Sequence, residues 1–203
     1  MRWFGLYVLG AMMFGALHAN SSDMLISAEE AAKLIGKEKV MFVTGDDEDI
    51  FKTGHIKGSV EMYAHHLHHS TITGKMECAP LFMCKEEAET YIGSKGIDNE
   101  TLVIAYDDFK GPNATGVYAF FKSFGHEKIK ILNGGRAAMM AVDPAQKIYD
   151  AIKENIKSAK ENKELLAKLN TELKAQEKKL LVQRGEGEKI SPKKYTIDLN
   201  KVN

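Results

Sequence analysis

Three apolar runs, each the length of a β-strand, constrain this chain more than any other feature: Val40-Met41-Phe42-Val43, Leu102-Val103-Ile104-Ala105-Tyr106 and Ile129-Lys130-Ile131-Leu132. A run of this kind has almost no polar face to offer water, so it predicts a strand buried on both sides. Helical patterns separate the runs. Ser27-Ala28-Glu29-Glu30 is a capping box that opens a short helix through Ala31, Ala32, Leu34 and Ile35, closed by Gly36. Glu86 to Ile92 and Ala114 to Phe124 are helical patterns too, each followed by a glycine. Strands alternating with helices of this length predict an α/β fold, a parallel sheet with helices on both faces.

After Gly135 the composition shifts. Residues 143–183 are rich in Ala, Glu, Lys and Leu, with Pro144 suited to a first helical turn. Ile152, Ala159, Leu166, Leu173 and Leu180 recur at a spacing of seven, whereas the companion series Ile148, Asn155, Asn162, Leu169 and Gln176 is mostly polar. A coiled-coil seam wants both series apolar. The pattern therefore predicts one long charged helix over 142–184 with a narrow apolar stripe, either docked on its own domain or a partner, or left solvated. Arg184-Gly185-Glu186-Gly187 stops it, and Tyr195 to Leu199 reads as a short edge strand or an extended arm in a tail over 185–203. The expected organisation is a core domain over 24–141 that folds without residues 143–203.

The N-terminus has the layout of a secretory signal peptide over 1–19: Arg2, an apolar run from Trp3 to Leu17, and the small residue Ala19. The run is shorter than the roughly 20 residues of a spanning helix. Cleavage would leave Asn20 first, and the expected location is periplasmic or secreted. With 28 basic and 28 acidic residues the net charge is zero, which gives no case for a nucleic-acid partner. An oxidising compartment permits a disulfide between the two cysteines, Cys78 and Cys84; they could equally be free thiols or metal ligands. His65, His66, His68 and His69 fall within five residues upstream. With the cysteines and the thioethers of Met76 and Met83 they suit copper or zinc. A His65/His68 or His66/His69 pair shares one face if the segment is helical. The plainer reading is an exposed loop of solvated histidines.

Thr53-Gly54-His55-Ile56-Lys57-Gly58-Ser59, Gly96-Ile97, Thr101 to Asp107, Phe121, Phe124-Gly125-His126 and Leu132-Asn133-Gly134-Gly135 follow one another in an informative order and spacing. Through them residues 24 to about 141 resemble a rhodanese-like domain, closest to the N-terminal, non-catalytic half of tandem thiosulfate sulfurtransferases. The resemblance implies a central, mostly parallel five-stranded sheet with helices on both faces. In active members a cysteine directly follows the strand that ends here at Tyr106. It heads a loop whose amides converge at a helix start, where they stabilise a thiolate or persulfide. The residue in that place is Asp107. The matching substrate loop holds Asp107, Asp108, Lys110, Gly111, Asn113 and Thr115. Thr44-Gly45-Asp46 stands where family members usually carry a bracing Asp-x-Arg, and Met139 where a tryptophan is usual. His55 is expected to brace its turn, and His126 to lie at a helix end or on the surface.

The expected function is that of an exported rhodanese-like protein of sulfane-sulfur metabolism, lacking the usual nucleophile and acting as a binding or partner subunit. A small sulfur-containing anion is the ligand the resemblance implies. One alternative is an active sulfurtransferase that uses Cys78 or Cys84, or that is completed by a second rhodanese domain on a separate chain. Another is a periplasmic metal-binding protein built on the His65, His66, His68, His69, Cys78 and Cys84 loop. No membrane anchor is expected once the signal is removed.

Overall fold

A computed structural model describes residues 24–68, 84–108, 111–159 and 161–201. The three apolar runs become the middle of a five-stranded, all-parallel sheet. β5 (Leu102–Tyr106) pairs with β2 (Val40–Thr44), with Val40 opposite Leu102 through to Thr44 opposite Tyr106. β6 (Ile129–Leu132) and β1 (Leu25–Ile26) extend one side, and β4 (Val60–Glu61) forms the other edge.

Side chains alternate across a strand, so the run in β5 divides between two cores. Val103 and Ala105 join Val43, Ile129 and Ile131 on one face, where α4 (Lys85–Ser94) adds Ala88 and Ile92 and α5 (Pro112–Ser123) adds Val117, Phe120 and Phe121. Ile104 and Tyr106 join Phe42 and Leu132 on the other, under α1 (Ala28–Ala32) and α6 (Gly135–Val142), which supply Ala31 and Met139. Full burial of each large apolar side chain contributes about 1.5–3 kcal/mol. α1 begins with the capping box read from the sequence: Ser27 accepts from the Glu30 amide, and the Glu30 carboxylate reaches back to the Ser27 amide.

The helical region after α6 departs from a single long helix. It is two helices, α7 (Pro144–Ser158) and α8 (Lys163–Glu177), packed against each other. The break falls at Asn162, whose side chain accepts from the Leu165 amide and so caps α8. The pair is antiparallel: Tyr149 donates to Glu177 (3.1 Å) and Gln176 donates to the Ala145 carbonyl (3.1 Å). The two helices cover one another only in part: Tyr149, Ala159, Leu169 and Gln176 are buried, whereas Ile152, Leu166 and Leu173 of the seven-residue series stay half-buried. At the base, one Asp143 oxygen caps α7 through the Ala145 amide and the other accepts from the Leu181 amide (2.8 Å each). No helix among the described residues is long and apolar enough to cross a membrane.

The rest of the tail is a strap. β7 (Val182–Gln183) pairs antiparallel with β3 (His55–Ile56), which follows α2 (Glu48–Thr53). The Gly185 amide then donates to the Lys52 carbonyl, and the Lys193 amide to Gly93 (2.8 Å) in α4. A Cβ on Gly93 would collide with the Lys193 carbonyl, so only glycine admits the strap there. Asn99 clasps the backbone of Thr196 with both ends of its amide, and the Ile197 amide donates to Glu89. Tyr195 and Ile197 are buried in the first core. Through these two residues the core reaches past residue 141 into the strap.

Candidate functional site

Register places the site. Because Thr44 stands opposite Tyr106, the residues that follow β2 and β5 leave the sheet side by side at its C-terminal edge, where open α/β sheets commonly bind ligands. The Gly45 amide donates to the Tyr106 carbonyl (2.9 Å) and ties the two exits together. Asp46 and Asp107 are both buried here, each 2% exposed.

Asp107 is held at both ends. One carboxyl oxygen accepts from the Ala114 amide in the first turn of α5 (3.1 Å), and its carbonyl accepts from the Arg136 amide (2.8 Å) at the start of α6. Gly111 precedes α5 as its N-cap, with Pro112 opening the helix, and Thr115 donates back to the Gly111 carbonyl (2.6 Å). The carboxyl group therefore sits where an anion gains from first-turn amides. Asp46 accepts from the Asn113 side chain (3.0 Å) and from the Thr44 hydroxyl (3.2 Å), and its amide donates to Thr44 Oγ1. Burial pushes its pKa above the usual carboxylate range. Asp107 and Asp108 add to the rise through their negative field, against the Asn113 and Thr44 hydrogen bonds. Gly45 lies so near Asn113 that a Cβ would meet its carbonyl. Of the loop residues expected from sequence, Asp107, Asp108, Gly111, Asn113 and Thr115 come together; Lys110 lies outside the described residues.

The surroundings are rigidly braced. Buried Tyr106 accepts from the Ile56 amide (3.1 Å) and shares a hydrogen bond with Ser59 (2.8 Å); burial raises the pKa of its phenol. The Arg136 guanidinium donates to the Ile50 and Gly54 carbonyls. His55 stacks on Phe51 at 4.0 Å with Nδ1 against the Phe51 carbonyl, a bracing role as expected, and burial lowers its pKa. Of the two places expected for it, His126 takes the helix end: it lies just past α5, its amide donates to the Phe121 carbonyl (3.1 Å), and it is only 4% exposed. Its Nε2 meets the Thr101 carbonyl (3.0 Å) and its Nδ1 the Tyr195 hydroxyl (3.1 Å). The strap, through Tyr195, covers it and keeps it from the surface.

The soft-ligand candidates divide differently. Cys84 is buried and disulfide-bonded, so it is not a free thiol in this structure. Cys78 and His69 lie outside the described residues, as does the side chain of His68. His65 and His66 lie on α3 (Ala64–His68), where the Tyr63 ring meets His66 edge-on at 4.6 Å. Among the described residues no three His, Cys, Asp or Glu side chains are grouped to hold a metal. Sequence reasoning missed Arg136 and the Asn113–Asp46 bond. The first could have been sought beside Gly134-Gly135. The second spans 67 positions and has no local signal.

Comparison with known proteins fixes the family. A model of the rhodanese-like domain matches residues 27–141. The chain belongs to the rhodanese-like domain family. A relative from Mycolicibacterium smegmatis, named "Putative thiosulfate sulfurtransferase", is 30% identical over 119 residues, which cover 57% of this chain and 40% of the relative. A second, from Mycobacterium bovis, is 31% identical over 116 residues, covering 56% and 39%. The chain thus spans about two fifths of the length of these curated relatives. Among solved structures, the 3-mercaptopyruvate sulfotransferase SseA of Escherichia coli overlays with a TM-score of 0.57 at 15% identity, covering 86% of this chain and 56% of that one. That likeness is one of fold, and it extends past the residues matched by the family model.

Proposed function

We propose that this rhodanese-like domain serves sulfane-sulfur metabolism as a binding or partner subunit, with Asp107 in the place of the sulfur-carrying nucleophile. The observation that carries the reading is the Asp107 carboxyl group itself, buried and bonded to the Ala114 amide. A carboxylate cannot hold sulfur in a disulfide-like bond, whereas a thiolate can. It also takes up a first-turn amide that a bound anion would otherwise use, and Asp46 and Asp108 beside it add to the local negative field. An anionic sulfur donor is repelled there. The names of the relatives support thiosulfate or a similar anion as the substrate class of the wider assembly.

The partner we propose is a cysteine-bearing rhodanese domain, and the location is the periplasm or the cell exterior, since residues 1–19 carry the pattern of a secretory signal. N-terminal sequencing of the mature chain should begin at Asn20; Met1 would refute export by cleavage. The catalytic test is intact mass after incubation with thiosulfate. An unchanged mass is expected. Gain of one sulfur, removed by cyanide as thiocyanate, would overturn the reading and favour a working cysteine. A metal-handling role has one supporting observation: His65 and His68 lie three residues apart on α3. Zinc retained through dialysis by the chain, and lost on His65→Ala, would favour it.

A further inference from the structure

The α7–α8 hairpin meets the β3–β7 ladder along an open crevice of about 530 Å³. A smaller cavity of about 120 Å³ continues it inward to Arg136. Tyr149, Leu180, Val182 and Arg184 line both. The first three are buried in the protein and present apolar surface to the crevice. The size falls in the range of small-molecule sites, which combine apolar walls with a few convergent polar groups.

Its charges are unbalanced. Lys174, Lys178 and Arg184 stand on the rim, against the single carboxylate of Glu177. That carboxylate already accepts from the Tyr149 hydroxyl, and the Arg184 charge bears on the same phenol. Two nearby carbonyls, that of Glu177 at the end of α8 and that of Leu180 beyond it, accept from the Gln183 side chain. None of the three cations forms an ion pair among the described residues. A rim of three cations against one carboxylate, over an apolar floor, is complementary to a molecule that is anionic at one end and apolar along its body.

We propose that this crevice binds a small organic carboxylate with an aliphatic or aromatic body, its head group at Arg184 and Lys178 and its body against Tyr149, Leu180 and Val182. The proposal does not depend on the reading of Asp107. It is tested on the whole chain by amide NMR titration with octanoate, using uncharged octanol as the control. Octanoate should saturate shifts at Tyr149, Leu180 and Val182 with a dissociation constant of about 1 mM. The double variant K178Q/R184Q, checked for a native spectrum, should weaken octanoate about tenfold and leave octanol unaffected. No saturable shifts at these residues up to about 10 mM would overturn the proposal. So would octanol binding as tightly as octanoate, or a double variant that binds octanoate as the wild type does. If the double variant is misfolded, R184K decides: retention of charge without the planar fork should weaken octanoate but not abolish it, and an unchanged affinity counts against the site.

Discussion

The hairpin and the strap leave the core domain consecutively, and from sequence the first reads as a long charged helix over 142–184 and the second as a tail over 185–203. They behave as opposites. The hairpin α7–α8 packs against itself, half-covering its apolar stripe, and returns to its starting point, where Asp143 meets Leu181. The strap has no periodicity, yet Tyr195 and Ile197 enter the main core. A repeat of apolar residues therefore identifies a face to be covered without saying what covers it. An isolated pair such as Tyr195 and Ile197 can matter more to the domain than a spacing-of-seven pattern that runs from Ile148 to Leu180.

The largest expected effect sets the two apart. Ile197→Ala should destabilise the domain by about 2–5 kcal/mol, and removal of residues 190–203 should abolish the cooperative thermal transition. If the truncated chain still melts cooperatively near the wild-type temperature, the strap is dispensable and the contrast fails. Tyr195→Phe removes only the hydroxyl facing His126 and should cost about 1 kcal/mol, read from the urea midpoint. It is the finer probe of whether that buried hydrogen bond anchors the strap.

Acid should separate the regions again. Burial holds the His126 pKa below its ordinary value, so the folded state disfavours the proton. The stability from this neutral histidine is full above the unfolded pKa near 6.5 and is lost as pH falls from there through the folded pKa. Residues 143–183 contain no histidine. Protection factors at Thr196 and Ile197, which allow for the slower intrinsic exchange in acid, should fall as pH drops below about 6.5, with Leu169 in the hairpin changing less. In His126→Gln, which can still donate to the Thr101 carbonyl, the added acid sensitivity of the strap should vanish. The smallest effect is expected from excision: replacing residues 144–180 by a short Gly-Ser linker should shift core stability by no more than about 1 kcal/mol. A larger loss would mean the hairpin braces the core.

What the sequence disclosed follows from where its signals are local. The runs at Val40, Leu102 and Ile129 became the three longest strands, since burial on both faces leaves a continuous apolar signature. The two-residue strands at Leu25, His55, Val60 and Val182 are too short to show a period. The hairpin break was present in the sequence as Asn162, an N-cap residue hidden inside a heptad series. At the site, Asp107 was legible through the rhodanese-like resemblance, which implies a cysteine directly after the strand that ends at Tyr106. Its companions were not: Asp46 meets Asn113 only because β2 and β5 lie side by side, a fact of tertiary register.

The strap also has a temporal meaning. Its bonds from Thr196 to Asn99 and from Ile197 to Glu89 close loops of 97 and 108 positions. Such contacts come with a large entropic charge and a slow search, whereas the hairpin closes locally. As the chain emerges from its N-terminus, the face bearing Ile92, Phe121 and His126 is complete in sequence long before Tyr195 and Ile197 exist to cover it. Strap variants should therefore speed unfolding and scarcely slow folding. A nascent domain still lacking Tyr195 and Ile197 is one that aggregation, proteolysis or a chaperone can still reach.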